Sequence, residues 1–276
     1  VARSTRIRLD ELVLSRGFAS SRTAARSMIM AGLVLVHGEV SDKAGTLVDL
    51  AAPITVKERP RFVSRGGDKL DAALETFEVD VAGASALDVG ASTGGFVDCL
   101  LQRGAARVVA LDVGRGQLDA RLRTDPRVEV VEGINARYLV PDQLPWRPDL
   151  LTMDVSFISV AKVLPAVVAC LAPVYTGVIL IKPQFEAGPK DVGKGGIIRD
   201  LEVHRRVLRD AAQFVAEQLD GELLSLCRSV LPGSGGNVEY FFHIGRGGEN
   251  RPALDTLDSA IDHVVQGNGP RLGGHV

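Results

Sequence analysis

From Ser85 onward the chain alternates between short apolar runs and segments of helical spacing, and this alternation restricts its fold more than any other feature. The first run, Ser85-Ala86-Leu87-Asp88-Val89, reads as a buried strand. It breaks into Gly90-Ala91-Ser92-Thr93-Gly94-Gly95 and resumes as Phe96-Val97-Asp98-Cys99-Leu100-Leu101 at helical spacing. Further strands are expected at 106–112, 128–131, 149–154 and 177–182, and helices through Leu118, Ala120 and Leu122, over 160–171 and over 201–219. Strands this apolar need cover on both faces, so the pattern predicts an α/β fold, a parallel sheet between two helical layers. Runs at 223–226 and 239–244 have no helix between them, which makes one of the two antiparallel. One more helix fits 252–266, and 267–276 reads as disordered.

The glycine turn after the first strand has two readings. Glycines let the backbone turn sharply and approach a ligand, and they leave free N–H groups at a helix start. A tight turn with no ligand has the same appearance. The surroundings favour a ligand site, because a doubly wound sheet binds at the carboxyl ends of its strands. There the sequence puts Asp112, an acid that can hold both hydroxyls of a ribose, Asn135 after the third strand, Asp154 after the fourth, Lys182 after the fifth, and Glu239 at the opening of the last. Polar residues are common at strand ends, so the structural reading stays open on this evidence alone. The spacing is not G-x-G-x-x-G, which weakens a nicotinamide cofactor.

The first sixty residues differ in character. Leu9, Leu12 and Val13 share a helical face closed by Gly17, and Ser20 or Ser21 can cap a second helix through Ala24, Ala25, Met28 and Ile29. Short strands follow at 33–36, 39–40, 47–48 and 54–56, with His37-Gly38 as a tight turn. The formal charge of −2 suggests no polyanion partner by itself, yet residues 1–62 carry +4 and the remainder −6. A small basic lobe on a larger acidic one assigns polyanion binding to the first, unless its cations form an ordinary solvated face. Cys99, Cys170 and Cys227 lie far apart in apolar surroundings, which suits reduced core thiols and neither a disulfide framework nor a metal site. The most apolar stretch, 160–174, is interrupted by Lys162, Pro165 and Pro173, so no membrane span is expected; the early arginines lead into no apolar leader, and the expected location is cytoplasmic.

Two resemblances sharpen these readings. The helix pair, the Ser21-Arg22 opening and the run Ala31-Gly32-Leu33-Val34-Leu35-Val36-His37-Gly38 resemble the S4 RNA-binding domain, which implies RNA-facing roles for Arg8, Arg16, Arg22 and Arg26. The turn 87–96 resembles the S-adenosylmethionine loop of FtsJ-type RNA 2′-O-methyltransferases. With Val63-Ser64-Arg65-Gly66-Gly67-Asp68-Lys69-Leu70, Asp154-Val155-Ser156-Phe157-Ile158-Ser159, Ile181-Lys182-Pro183-Gln184-Phe185-Glu186 and Gly235-Gly236-Asn237-Val238-Glu239-Tyr240-Phe241, residues 6–245 are similar to the TlyA, or haemolysin A-like, family of ribosomal RNA methyltransferases.

That resemblance implies a Rossmann-like, seven-stranded class I methyltransferase domain preceded by a small α+β S4-like domain. It implies S-adenosyl-L-methionine held by Gly90, Ala91, Ser92, Gly94, Gly95, Phe96, Asp112, Asn135 and Asp154, and a catalytic tetrad of Lys69, Asp154, Lys182 and Glu239. The substrate class is cytidine ribose in RNA of the small subunit, the large subunit or both, with ribosomal subunits as partners, Arg65, Lys190 and Lys194 as further RNA contacts, and a monomer as the expected working unit. A free lysine, with a pKa near about 10.4, is protonated at neutral pH, so its two acids and its burial decide what Lys182 can do. The expected division is 1–58, a linker at 59–63, a catalytic domain at 64–250 and a tail at 251–276. The linker departs from the family: Pro60-Arg61-Phe62-Val63 stands where Arg-Ala-Trp-Val is usual, keeping the aromatic position as Phe62 and offering Arg61 one place along. The glycine-rich segments 186–199 and 231–237 are either lids over the site or ordinary mobile loops. The competing function class is an RNA-binding assembly factor on an inactive methyltransferase fold; a membrane-lytic role has no amphipathic helix to support it.

Overall fold

The computed structural model describes residues 6–57, 60–193, 195–219, 221–247 and 254–267. The chain forms two compact units, Val1–Pro60 and Arg61–Val276.

The first unit runs β1 (Arg6–Arg8), α1 (Leu9–Ser15), α2 (Arg22–Met30), β2 (Val34–Val36), β3 (Glu39–Val40), β4 (Leu47–Asp49) and β5 (Ile54–Val56). Leu9, Leu12 and Val13 from α1 and Ala25 and Ile29 from α2 are buried against Val34 and Val48. Ser21 rather than Ser20 caps α2, its hydroxyl accepting the Ala24 N–H at 3.1 Å. His37 and Gly38 both take positive φ, 55° and 85°, so β2 turns back into β3 through a two-residue turn whose twist suits a hairpin. β1, absent from the sequence reading, pairs antiparallel with β4, while β2 sits between β3 and β5.

The second unit continues with α3 (Arg65–Thr76), β6 (Ser85–Val89), α4 (Gly95–Gln102), β7 (Arg107–Asp112), α5 (Ala120–Arg123), β8 (Val128–Glu132), β9 (Leu150–Met153), α6 (Leu164–Val168), β10 (Tyr175–Ile181), α7 (Pro183–Glu186), α8 (Leu201–Gln218), β11 (Glu222–Arg228), β12 (Tyr240–Arg246) and α9 (Leu254–Val265). The seven strands lie in the order β11-β12-β10-β9-β6-β7-β8. Six run the same way, and β12 is antiparallel to both its neighbours, so the antiparallel strand expected from the sequence is the last one. Side chains alternate between the two faces at period two. Tyr240, Phe242 and Ile244 join a core with α6, α8 and α9, while Phe241 joins the opposite core with α3, α4 and α5.

Two helix expectations change. The helix expected over 160–171 is a turn at 160–162 followed by α6 alone, because Pro165 cannot donate within a continuous helix and suits the start of a new one. The helix around Leu118 is reduced to α5, capped by Asp119, whose carboxylate accepts the Arg121 N–H at 2.9 Å. Residues given to a separate tail include α9, whose Ala260, Ile261, Val264 and Val265 are buried in the core with α8; residues 268–276 lie outside the described residues. Phe62, expected in the linker, is buried against the open side of Gly67, and the Val63 N–H donates to Asp98, so both belong to the second unit. Arg61 pairs with Asp71 and lies over the Phe62 ring at 4.7 Å.

Candidate functional site

The parallel strands β6, β7, β9 and β10 all end at one edge of the sheet, and β12, running the other way, begins there. Ile181 is registered opposite Tyr240, so the residues that follow β10 and precede β12 are neighbours. That topology brings Lys182 and Glu239 together from positions far apart in sequence.

Lys69 of α3, Asp154 after β9, Lys182 after β10 and Glu239 before β12 line one cavity of about 380 Å³, with Ser64, Arg65, Gly66 and, from the glycine turn, residues 90–93 and Gly95 forming further walls. The four charged groups form two pairs. The Lys69 ammonium meets a Glu239 carboxylate oxygen at 2.6 Å, and Lys182 pairs with Asp154. Lys182 also donates to the Ser156 hydroxyl at 2.9 Å, and the Gln184 amide donates to Glu239 at 3.4 Å. Glu239 is 2% exposed. A carboxylate this buried is tolerable only because a cation and a hydrogen bond accompany it.

A second cavity, of about 590 Å³, adjoins the first through Gly90, Ser92 and Asp154. Its apolar wall includes Val113, Ile134 and Val155, and Asp112 and Asn135 stand at its edge. The Asp112 carboxylate accepts the Ser92 N–H at 2.8 Å and the Gly114 N–H at 2.6 Å, which fixes it at the end of β7. Asn135 accepts the Arg137 N–H at 3.0 Å, starting the turn at 136–138. Gly90 has φ of 86°, and a Cβ there would collide with the Asp154 carbonyl. Only glycine lets these two strand ends approach, and the approach opens the floor between the cavities.

Beneath that floor Asp88 is buried. It accepts a hydrogen bond from the Thr152 hydroxyl at 2.8 Å and has no partner for its second oxygen. Burial pushes its carboxyl up to about 8, with nearby Asp154 and Asp112 adding to the shift.

Most of the candidate cofactor residues, Gly90, Ala91, Ser92, Gly95, Phe96, Asp112, Asn135 and Asp154, line one of the two cavities. Gly94 lines neither of them: a Cβ there would strike Leu122 and Leu118, so its role is to let α5 approach the turn. The candidate RNA contacts divide. Arg65 faces the smaller cavity and Lys190 is exposed, whereas Lys194 lies outside the described residues. Arg16 donates to the carbonyls of Leu50 and Ala52, both at 2.7 Å, a bracing role within the first unit. Arg8, Arg22 and Arg26 converge on the fully buried carboxylate of Asp10 at 3.0, 3.2 and 2.9 Å. Their guanidiniums hold that carboxyl well below the usual carboxylate range, and the three side chains remain 38–51% exposed.

Comparison with known proteins agrees with this geometry. Residues 62–246 match the FtsJ-like methyltransferase family and residues 7–52 the S4 domain. The 16S/23S rRNA (cytidine-2′-O)-methyltransferase TlyA of Mycobacterium tuberculosis is 44% identical over 268 residues, covering 96% of this chain and 99% of that one. The chain belongs to the TlyA family. Hemolysin A of Brachyspira hyodysenteriae is 42% identical over 86% of this chain and 99% of its own length. A solved structure of a Streptococcus thermophilus protein carrying the hemolysin label superposes with a TM-score of 0.72 at 37% identity, covering 96% of both chains. Among the described residues no helix is long and apolar enough to cross a membrane, and no cluster of three or more His, Cys, Asp or Glu side chains is arranged for a metal ion.

Uncharged residues also build the site: Ser64 lines the smaller cavity, Ser156 accepts from Lys182 and Gln184 donates to Glu239, and no charge in the sequence marks any of the three. Phe157 is 90% exposed with φ of 63°, an unusual backbone for a bulky residue, and its ring lies 4.9 Å from Phe185. Lys182 lies 5.9 Å from the same Phe185 ring. A lone Phe in an apolar motif gives no signal of exposure; only the folded backbone turns it outward.

Proposed function

We propose that this chain methylates the ribose 2′-oxygen of cytidine in ribosomal RNA of the small or large subunit, using S-adenosylmethionine. The observation that carries this reading is the convergence of Lys69, Asp154, Lys182 and Glu239, from four separate elements, on one cavity next to the glycine turn. S-adenosylmethionine fits the residues present. Glycine at 90 lets the turn pack against the Asp154 carbonyl where the two cavities meet, Asp112 suits ribose hydroxyls, and Val113 and Ile134 supply an apolar wall for a base. When bound, it supplies an electrophilic methyl group.

The chain's own residues do the remaining work. Lys182, held by Asp154 and Ser156, orients the 2′-hydroxyl, and the hydroxyl proton departs toward that pair. Lys69 and Glu239 fix the opposite side, so that much of the rate comes from positioning. Phe157, exposed beside this corner, offers a face on which a target base can stack. Arg8, Arg22, Arg26, Arg65, Lys190 and Lys194 are the proposed phosphate contacts, with residues 1–58 as an RNA-binding domain and 64–250 as the catalytic one. The cysteines take no part: burial pushes the Cys99 and Cys227 thiols up to about 12. Free buried thiols support a cytoplasmic setting, and a monomer is the proposed working unit.

The test is transfer of a labelled methyl group from donor to purified small and large subunits that lack the modification, with the product mapped by mass spectrometry. Label on a cytidine 2′-oxygen is expected. No label on either subunit overturns the reading.

A further inference from the structure

One glycine-rich turn, 233–236, borders the smaller cavity beside Glu239, and one buried side chain ties it to a second glycine-rich loop at 196–198. Asn237 is 5% exposed. Its Oδ1 accepts the Ile198 N–H at 3.1 Å, and its amide nitrogen donates to the Gly196 carbonyl at 2.9 Å and the Ser234 carbonyl at 3.1 Å. An amide side chain has two donors and one carbonyl acceptor, so nearly all its capacity is spent here, on two separate loops. Ser234 and Gly233 line the cavity, and a Cβ at Gly233 would strike the Glu239 carboxylate. Gly235 and Gly236 both have positive φ, and the turn closes on itself through the Gly233 N–H to the Asn237 carbonyl at 2.8 Å and the Gly236 N–H to the Gly233 carbonyl at 3.1 Å; the Asn237 side chain carries it on to the second loop.

The tie continues on the far side. His204 of α8 is buried, with Nε2 3.2 Å from the Ile198 carbonyl and Nδ1 3.1 Å from the Tyr240 hydroxyl. A carbonyl can only accept, so Nε2 carries the proton and Nδ1 accepts from Tyr240. Burial lowers the His204 pKa, which keeps this neutral arrangement. Ile198, anchored from both sides, is 3% exposed.

We propose that Asn237 is a positioning residue for methyl transfer: it holds the turn 233–236 against Glu239 and joins it to the 196–198 loop, and so sets where Glu239 places Lys69 and how the substrate ribose enters. This rests on the function proposed above. The side-chain hydrogen bonds of Asn237 go to Ile198, Gly196 and Ser234 and not to Gly90 or Asp112, so donor affinity is expected to be independent of it.

Two variants test the tie in the full chain. Asn237→Ala removes all three hydrogen bonds; Asn237→Asp keeps the size and the acceptor for Ile198 and loses both donors. Each is expected to lower kcat about tenfold or more on unmodified ribosomal subunits, as loosened positioning does, while donor affinity by calorimetry stays within about twofold. Trypsin cleavage at Lys190 and Arg199, both exposed on the tied loop, is expected to quicken several-fold, on the order expected for loss of a local tether. If Asn237→Ala fails to fold, the isosteric Asn237→Asp carries the comparison. Unchanged kcat and cleavage in Asn237→Asp overturn the proposal, as does a loss of donor affinity as large as the loss of kcat. If the wild type transfers no methyl group, the function reading falls separately, and the cleavage rates still decide whether Asn237 ties the loops.

Discussion

Lys69 and Glu239 stand 170 positions apart in the sequence and meet at 2.6 Å, with 11% and 2% of their side chains exposed. One comes from the first turns of α3, the other from the residue before β12. Neither has water enough to replace its partner, so removing one strands the other as an uncompensated charge. Breaking such a pair from one side costs about 3–5 kcal/mol when it is fully buried, and removing both partners together costs much less. Lys69→Met and Glu239→Gln are each expected to lower stability in urea titrations, and the double variant Lys69→Met/Glu239→Gln by less than their sum. Additive losses show that the pair is not energetically coupled.

The floor between the two cavities exists because residue 90 has no side chain. Gly90→Ala meets a positive φ and a collision with the Asp154 carbonyl. Gly116→Ala meets a positive φ of 72° with nothing within 4 Å, so it carries only the conformational penalty, roughly 1–2 kcal/mol. Donor affinity by calorimetry is expected to fall at least about tenfold for Gly90→Ala, as for loss of a close backbone approach, and to change little for Gly116→Ala. Equal effects of the two substitutions count against that close approach.

Much of this was legible in advance, for identifiable reasons. Strand–helix alternation and the apolar runs gave the sheet, and the resemblance named residues that folding brings to one cavity. What sequence could not supply was which cations spend themselves on the protein itself. Arg16 looks like Arg22 in sequence, yet it braces Leu50 and Ala52. Gly94 looks like Gly90, yet it faces Leu122 and not a cavity. Pro165 broke a helix whose composition argued for continuity. Each depends on a long-range neighbour that local pattern does not encode.

Asp88 gives the chain a pH dependence of predictable sign. Its folded pKa of about 8 lies above the unfolded value, so the folded state binds the extra proton. Stability from this group is present below the ordinary carboxylate pKa of about 4 and is lost as pH rises through 8, a change on the order of a few kcal/mol. Asp88→Asn, isosteric and uncharged, is expected to melt at least as high as the wild type at pH 8.5 and to flatten the profile between pH 5 and 8.5. A variant that melts lower at pH 8.5 contradicts a raised Asp88 pKa.

Asp10 gathers Arg8, Arg22 and Arg26 at one point. Asp10→Asn raises the net charge by one, which by charge alone strengthens RNA binding. If the convergence is what matches phosphate spacing, affinity for ribosomal RNA fragments in a filter-binding titration instead falls several-fold, roughly the loss of one phosphate contact. Tighter binding by the variant would show that Asp10 serves folding only.

The central claim is that Lys182, held between Asp154 and Ser156, acts directly on the ribose hydroxyl. Single-turnover methyl transfer by Lys182→Ala, with folding checked by circular dichroism and donor affinity by calorimetry, tests it most directly. The account predicts a loss of about 100-fold or more in the transfer rate with donor affinity retained within a few-fold. Near-normal transfer by a folded, donor-binding Lys182→Ala would contradict it.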